Sequence, residues 1–507
     1  MIASVSLAPS NLFSAGEQTG RPNLLIIHTD EHNFRTLGCY RKTLSPNQAF
    51  MWGDGNVVDT PHIDALAENG ALCTNFYATS PVCTPSRAAF VSGQYPHETG
   101  AFSNNEHLKD EVVTFATILG KQGYATGYAG KWHLDGFGKP QWAPKRNFGF
   151  LDNRYMFNRG HWKKLTDTPQ GPKVDTGLKP SYAVDGATDK NFSTDWLADK
   201  TIEFMKMNKD KPFCYMVSIP DPHGPDTVRA PYNTMYSEMK FMKPHTANKS
   251  RKDVPSWAAP KGGRDNDAAY FGMVKCIDDN VGKIMKALKA EGLTDNTIVV
   301  FTSDHGDLRG EHGRQNKNVP LEGSAKIPFV VQWPAGIKPG KRIDQALGCV
   351  DFLPTALGMM SCKTSGKESG RDASAFFLGR SPSDWEDISI LRQGSIEGWV
   401  CAVSERYKLV LGPRDVPWLI DKKEDPDELI NYAMKTECRD VVRDLSKALD
   451  AYHRKHKDPS LNNVKMAYDL SWAIGLEERY DIGNAPKLMP SQNTDWIKKN
   501  KKKQKKI

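Results

Sequence analysis

Two acidic pairs stand at the ends of apolar runs in this chain, and carboxylates placed that way can hold a metal ion. Asp30-Glu31 follows Leu24 to His28, and Asp304-His305-Gly306 follows Ile298 to Thr302. In an open α/β sheet, ligands gather beyond the carboxyl ends of the strands, so pairs at equivalent ends can meet around one cation. Oxygen-rich donors favour a hard ion, calcium above all, with His305 adding a nitrogen or touching the site indirectly. Other reactive side chains follow other apolar runs: Gly130-Lys131-Trp132-His133 after Tyr124 to Ala129, and Pro222-His223-Gly224-Pro225 after Phe213 to Ile219. Cys83-Thr84-Pro85-Ser86-Arg87 contributes a thiol and, one helical turn on, a guanidinium able to grip an oxyanion in a fixed fork. Taken singly these are bland: an acidic pair is commonplace, a cysteine can cap a short helix from the interior, and a histidine can simply occupy a turn.

The elements that must position these groups are legible from Pro22 onward. Apolar β-type runs alternate with helical patterns, which is the signature of a parallel sheet covered by helices on both faces. Met273, Ile277, Val281, Ile284, Met285 and Leu288 recur at helical spacing, with Gly292 as a C-terminal stop, and read as core. After Asp351 to Leu357 the pattern changes. Ile388 to Leu391, Val400 to Val403, Tyr407 to Leu411 and Trp418 to Ile420 follow one another through polar turns, as in a small antiparallel sheet. Val441, Val442, Leu445, Leu449 and Tyr452 mark an amphipathic helix to cover it. A chain of 507 residues can bury a large core. Its net charge of +8 owes most to the lysines between Lys498 and Lys506, so the body offers no nucleic-acid-binding face. Nine cysteines without CxxC pairs read as buried thiols and require no disulfide.

The Cys83 to Arg87 segment resembles the maturation motif of type I, formylglycine-dependent sulfatases of the alkaline phosphatase superfamily, and the resemblance runs from about Asn23 to Asn431. It implies that a formylglycine-generating or anaerobic sulfatase-maturing enzyme oxidises Cys83 to an aldehyde, whose hydrate is the nucleophile. A sulfated serine would be as hard to hydrolyse as the substrate, whereas the second hydroxyl of a hydrate can expel sulfate from a formylglycine-sulfate intermediate. Carried over residue by residue, the resemblance makes Asp30, Glu31, Asp304 and His305 calcium ligands, with hydrated Cys83 completing the shell. Glu31 departs from the family's more usual aspartate by one methylene. Lys131 would hold a sulfate oxygen, His133 would take the proton from the hydrate, and His223 would protonate the leaving alcohol. Lys317, in His312-Gly313-Arg314-Gln315-Asn316-Lys317, would add a second ammonium, and Arg87 would join it around the transferring group. The fold implied is α/β and alkaline-phosphatase-like: a large mixed, mostly parallel sheet between helices, with a smaller C-terminal α+β subdomain containing an antiparallel sheet. The corresponding boundaries are a catalytic domain over 21–380, a subdomain over 381–475, and terminal extensions over 1–20 and 476–507. Asp425-Pro426-Asp427-Glu428-Leu429, with Asn431 beyond, resembles the acidic turn of the family's C-terminal part.

Substrate identity rests on loop residues. Asn104, Asn105, Glu106, His107, Trp142, Arg154, His161, Trp162, Arg309 and Arg314 form a polar and aromatic mixture suited to glycans. The expected substrate is a sulfated carbohydrate, a marine galactan such as carrageenan first and a glycosaminoglycan next. A phosphonate or phosphate ester hydrolase of the same superfamily is the neighbouring alternative, and a noncatalytic polyanion-binding protein is the alternative of another class. No apolar run reaches the length of a membrane span. The N-terminal residues ending Phe13-Ser14-Ala15 read as an export signal lacking a basic start, which implies a periplasmic or secreted protein.

Overall fold

The computed structural model describes residues 20–175, 182–248, 254–263 and 266–475. The expected export signal and the lysine-rich tail lie outside them. An eight-stranded sheet forms the centre. In chain order its strands are β1 (Asn23–Asp30), β2 (Ala71–Cys73), β3 (Ala125–Lys131), β4 (Asp152–Phe157), β5 (Phe213–Pro222), β6 (Thr297–Ser303), β7 (Phe329–Gln332) and β8 (Lys341–Ile343). They lie side by side as β8-β2-β7-β6-β1-β5-β3-β4, and only β7 runs against its neighbours.

Every residue of β1 is buried. Leu24 and Ile26 face one core with Cys214, Met216, Ile298 and Val300, while Leu25 and Ile27 face a second with Tyr215, Val217, Val299 and Phe301. Both faces of the strand are thus apolar, which is why it reads as a continuous apolar run. Helix α1 (Cys83–Ser92) lies against the first core and stops at Gly93 in a left-handed conformation. Helices α2 (Ser193–Met207) and α3 (Asp267–Ala290) cover the second.

Register brings the reactive residues to one edge. Thr29 pairs with Ser303, so Asp30 and Asp304 leave neighbouring strands together. Gly130 pairs with Ser218, and a Cβ at Gly130 would sit 1.9 Å from the Ser218 carbonyl oxygen. Only glycine lets β3 approach β5 so closely, and Lys131 follows it. Lys131 accordingly ends the strand itself, where the apolar pattern alone had stopped at Ala129.

A second, antiparallel sheet follows, with β9 (Ser389–Arg392), β10 (Val400–Val403), β11 (Tyr407–Leu411) and β12 (Trp418–Asp421) in sequential order. Helix α4 (Arg439–His456) covers it. Asp425 Oδ2 accepts from the backbone of Leu429 (2.7 Å) and Ile430 (2.6 Å), which is the local reason for the acidic turn. Fully buried Lys408 on β11 pairs with Glu322 (2.5 Å) and Glu428 (2.9 Å), tying this sheet to the segment that follows Lys317. All nine cysteines are free. Among the described residues, no helix is long and apolar enough to cross a membrane.

Beyond α4, Asp458 is fully buried and accepts from Arg392 Nε (2.8 Å), Tyr452 Oη (2.6 Å) and the Ser460 backbone (2.9 Å). Burial opposes its charge, but Arg392 outweighs burial and holds the carboxyl down to about 2. Asp458→Asn leaves Arg392 as a buried, unbalanced cation and is expected to cost about 3–5 kcal/mol. A folded pKa below the unfolded one stabilises the protein above the unfolded value, and that contribution is lost as pH falls through the folded value. In chemical denaturation the wild type's advantage should therefore be complete near neutrality and shrink below about pH 4.

Candidate active site

At the carboxyl edge of the sheet, Asp30, Cys83, Asp304 and His305 each offer one ligand atom, and these atoms lie within 4.8 Å of one another. All four residues are buried. Helix α1 begins at Cys83, whose Sγ lies 3.2 Å from His305 Nε2 and 3.8 Å from Asp30 Oδ1. His305 Nδ1 donates to the carbonyl of Gly306 (2.9 Å), which orients the ring with Nε2 towards the group. Two carboxylates and an oriented imidazole, closed off from water, suit a divalent cation.

Arg87 binds this group together. Its Nε donates to Asp304 Oδ2 (2.9 Å), Nη2 to Asp30 Oδ2 (3.0 Å), and Nη1 to Ser218 Oγ (2.7 Å) and the Lys131 carbonyl (2.8 Å). Lys131 Nζ reaches Asp30 Oδ2 at 2.5 Å. Burial pushes the Asp30 carboxyl up, and Lys131 and Arg87 reverse this and hold it near 2. Burial and the adjacent Asp30 charge push Asp304 up. That repulsion is what a bound cation would relieve.

A second, cationic group faces the first. His223 Nδ1 donates to the Gly224 carbonyl (2.8 Å), and Nε2 lies 3.0 Å from Glu31 Oε2 and 2.9 Å from Lys317 Nζ. Lys317 also pairs with Glu31 Oε1 at 3.0 Å. The His161 ring stacks on His223, with centroids 3.7 Å apart and planes 9° from parallel, and Lys131 Nζ donates to its Nε2 (2.8 Å). Burial disfavours charge on both rings. Glu31 overrides it for His223, raised to about 10, whereas for His161 the neighbouring His223 and Lys131 charges reinforce it. Near neutrality these shifts favour a cationic His223 stacked on a neutral His161. Burial, then Lys131, brings His133 down to about 4. At Cys83, burial opposes ionisation, but Lys131, Lys317 and His305 together pull the thiol well below its ordinary range. The site is built to stabilise negative charge there.

Residues 22–362 match the Sulfatase family model, and residues 310–455 match the model described as N-sulphoglucosamine sulphohydrolase, C-terminal. The chain belongs to the sulfatase family. It is 28% identical over 450 residues to an ulvan-active sulfatase of Formosa agariphila, covering 86% of this chain and 81% of that protein. An N-acetylglucosamine-6-O-sulfatase of Bacteroides thetaiotaomicron is 26% identical over 529 residues, covering 87% of this chain and 88% of that one. A solved structure in complex with its substrate, D-glucosamine-2-N,6-O-disulfate, superposes with a TM-score of 0.69 at 22% identity, covering 87% of this chain and 99% of that chain, and shows the shared fold.

Several residues of the sulfatase have partners that their sequence context did not announce. Arg87, expected on the oxyanion, is 1% exposed and spends its donors on Asp30, Asp304, Ser218 and Lys131. Glu31, expected on the metal, leaves β1 with φ of 64° and turns to His223 and Lys317, outside the four-residue donor group. Arg309, expected at a sugar, is 3% exposed and held among Asp226, Asp267 and Asp307. Arg314 donates to the Ala259 carbonyl, and Trp142 packs on Phe157 and Trp196. Asn104 Oδ1 accepts from the Thr84 backbone (3.0 Å), beside Cys83, and Asn105 is exposed.

Sequence reasoning missed a buried pair. Lys163 and Asp221 are both fully buried and 2.6 Å apart, with Thr194 Oγ1 donating to the other carboxylate oxygen (2.8 Å). Lys163 lies two residues after His161, and Asp221 two before His223, so the pair clamps together the segments that carry the stacked rings. Lys163→Met should strand the Asp221 charge and cost about 3–5 kcal/mol. Adding Asp221→Asn should recover much of that loss, and a double-mutant cycle by chemical denaturation measures the coupling.

Proposed function

We propose that the chain removes sulfate from a sulfated carbohydrate, with formylglycine at position 83 and calcium beside it. The observation that carries this reading is the placement of Cys83 among the Asp30, Asp304 and His305 donors, with the Lys131, Lys317 and His223 cations near enough to act on it. Its Sγ stands where the hydroxyl oxygens of a hydrated aldehyde would be. Formylglycine supplies a nucleophile that can be regenerated, and calcium, held by Asp30, Asp304 and His305, supplies charge for the sulfate oxygens. Position 83 would take part in that shell, and Glu31 could swing to join it only by giving up its two ion pairs.

The chain's own side chains do the rest. Lys131 and Lys317 present ammonium groups to the transferring group, whose charge they stabilise without rearrangement. Arg87 acts as a positioning residue through the two carboxylates. His133, neutral in its buried setting, is the base beside position 83. His223 carries the proton at Nε2 and delivers it to the leaving alcohol oxygen. The ulvan and N-acetylglucosamine activities of the two relatives support a polysaccharide or oligosaccharide substrate. A sulfated galactan such as carrageenan and a glycosaminoglycan are the two substrates to compare first. Export to the periplasm or beyond would put the protein where such polymers are met.

The reading is tested by coexpression with a maturing enzyme, peptide mass spectrometry at position 83, and release of sulfate against phosphate from matched aryl esters. Formylglycine with sulfate release is expected; an active enzyme whose Cys83 stays entirely a thiol, or preferential phosphate release, refutes it. Exhaustive metal removal, or Asp304→Asn, should abolish most activity, restored in the first case by calcium and not by zinc. His223→Ala should slow sugar sulfates by about 10²–10⁴-fold and an activated aryl sulfate far less, because a phenolate leaves with little need of a proton. Equal losses on the two substrates would make His223 a sulfate binder instead.

A further inference from the structure

Near the catalytic group, three side chains have little structural duty of their own. Phe137 is 63% exposed, the most exposed of the large aromatic side chains among the described residues. Arg159 is half-buried, its Nη1 donates to Asn105 Oδ1 (3.3 Å), and its guanidinium carbon lies 5.9 Å from the Phe137 ring centroid. Among the described residues, no carboxylate forms an ion pair with Arg159. Arg146 and Arg154, on the same stretch of chain, pair with Asp135 at 2.7 Å and Asp152 at 2.9 Å. An arginine fork left without an anion beside an anion-handling site is a recognition group in waiting.

The three are bolted to the catalytic residues. Asn105 follows Asn104, which accepts from the Thr84 backbone next to Cys83 (3.0 Å). Arg159 follows Asn158, whose carbonyl accepts from the His133 backbone (2.6 Å) and whose side chain binds the Asp135 backbone (3.1 Å) and the carbonyls of Gly136 and Gly138 (3.2 Å each). The loop carrying Phe137 and the residue carrying Arg159 are therefore one unit with His133. The charge of Arg159 is felt at both Cys83 and His133.

We propose that Arg159, Asn105 and Phe137 form a subsite for a second oxyanion, a uronate carboxylate or a further sulfate ester, carried by the sugar substrate beside the ester being cleaved. The proposal rests on the reading of the chain as a carbohydrate sulfatase. The guanidinium fork matches either oxyanion, the Asn105 amide reaches a neighbouring hydroxyl, and the exposed Phe137 ring offers an apolar face to the sugar ring.

The matured enzyme would be assayed on three sugars sharing one scissile sulfate: a monosulfated oligosaccharide, its counterpart with a second sulfate, and its counterpart with an adjoining uronate. An aryl sulfate serves as the fourth substrate. Arg159→Ala should lower kcat/KM for at least one doubly charged sugar by about tenfold more than for the monosulfated one, through KM. Arg159→Lys, which keeps the charge and loses the fork, should fall between. The doubly charged arm that responds identifies the oxyanion. Phe137→Ala should weaken all three sugars more than the aryl ester. Equal losses on all three sugars with Arg159→Ala overturn the subsite while leaving the carbohydrate reading intact. A wild type that turns over the aryl ester and no sugar overturns both. Melting temperatures check folding, and if Arg159→Ala is unstable, Arg159→Lys decides alone.

Discussion

Asp30 and Asp304 leave adjacent parallel strands in register, buried and side by side, and two such carboxylates would drive each other to protonate unless positive charge came with them. Arg87 supplies it, spanning both, with Lys131 on Asp30. Because Arg87 lies one turn along α1, the helix must enter the site at a fixed height and rotation, and this sets Cys83 within 3.2 Å of His305. The guanidinium thus does for position 83 what a direct contact would do less firmly. It makes the location of the reacting group a consequence of the sheet's register. Ser86 adds to the hold by donating to the Asp304 carbonyl.

Opposite this bridge the fold sets two imidazoles face to face with opposite protonation. Burial alone would leave both neutral. Glu31, turned away from the strand, gives one of them a charge, and the ammonium of Lys131 occupies the acceptor of the other. A parallel stack is a poor arrangement for two imidazolium ions and a good one for a charged and a neutral ring. The neutral state of His161 is therefore part of what permits the proton on His223, and the Lys163 and Asp221 clamp holds the rings in that relation.

The architecture was legible because parallel strands buried on both faces leave continuous apolar runs; β1, β5 and β6 extend the runs expected for them by no more than a few residues. The four C-terminal strands were legible from the polar turns between them, and α4 from its helical periodicity. The short β2, β7 and β8 went unread, since three or four residues carry too little pattern to separate from a loop. Asp30, Cys83, Asp304, Lys131, His223 and Lys317 were nominated by their positions after strands and by the family resemblance, and they do converge. What sequence could not supply was who pairs with whom. Arg87, Arg309 and Lys163 are all cations beside candidate sites, and each turned out to neutralise buried carboxylates from distant segments. Such pairing depends on which loops the sheet brings together, and no local spacing records it.

The loops around the site share a construction that separates chemistry from recognition. In each, one residue is anchored to the catalytic framework and the next is more exposed: Asn104 before Asn105, and Asn158 before Arg159. The anchor transmits the position of Thr84 or His133 to the rim with little slack. The more exposed residue carries few obligations to the core, so its identity can change without disturbing the proton balance at His223 or the carboxylate bridge. Arg309 shows the contrary case. It also follows a catalytic strand closely, yet three carboxylates and the Tyr270 ring enclose it, so it serves the scaffold that holds Asp304 in place. A loop cation is free for an anionic substrate where the surrounding carboxylates are already satisfied; on this rim Arg146 and Arg154 have taken theirs, and Arg159 has none among the described residues.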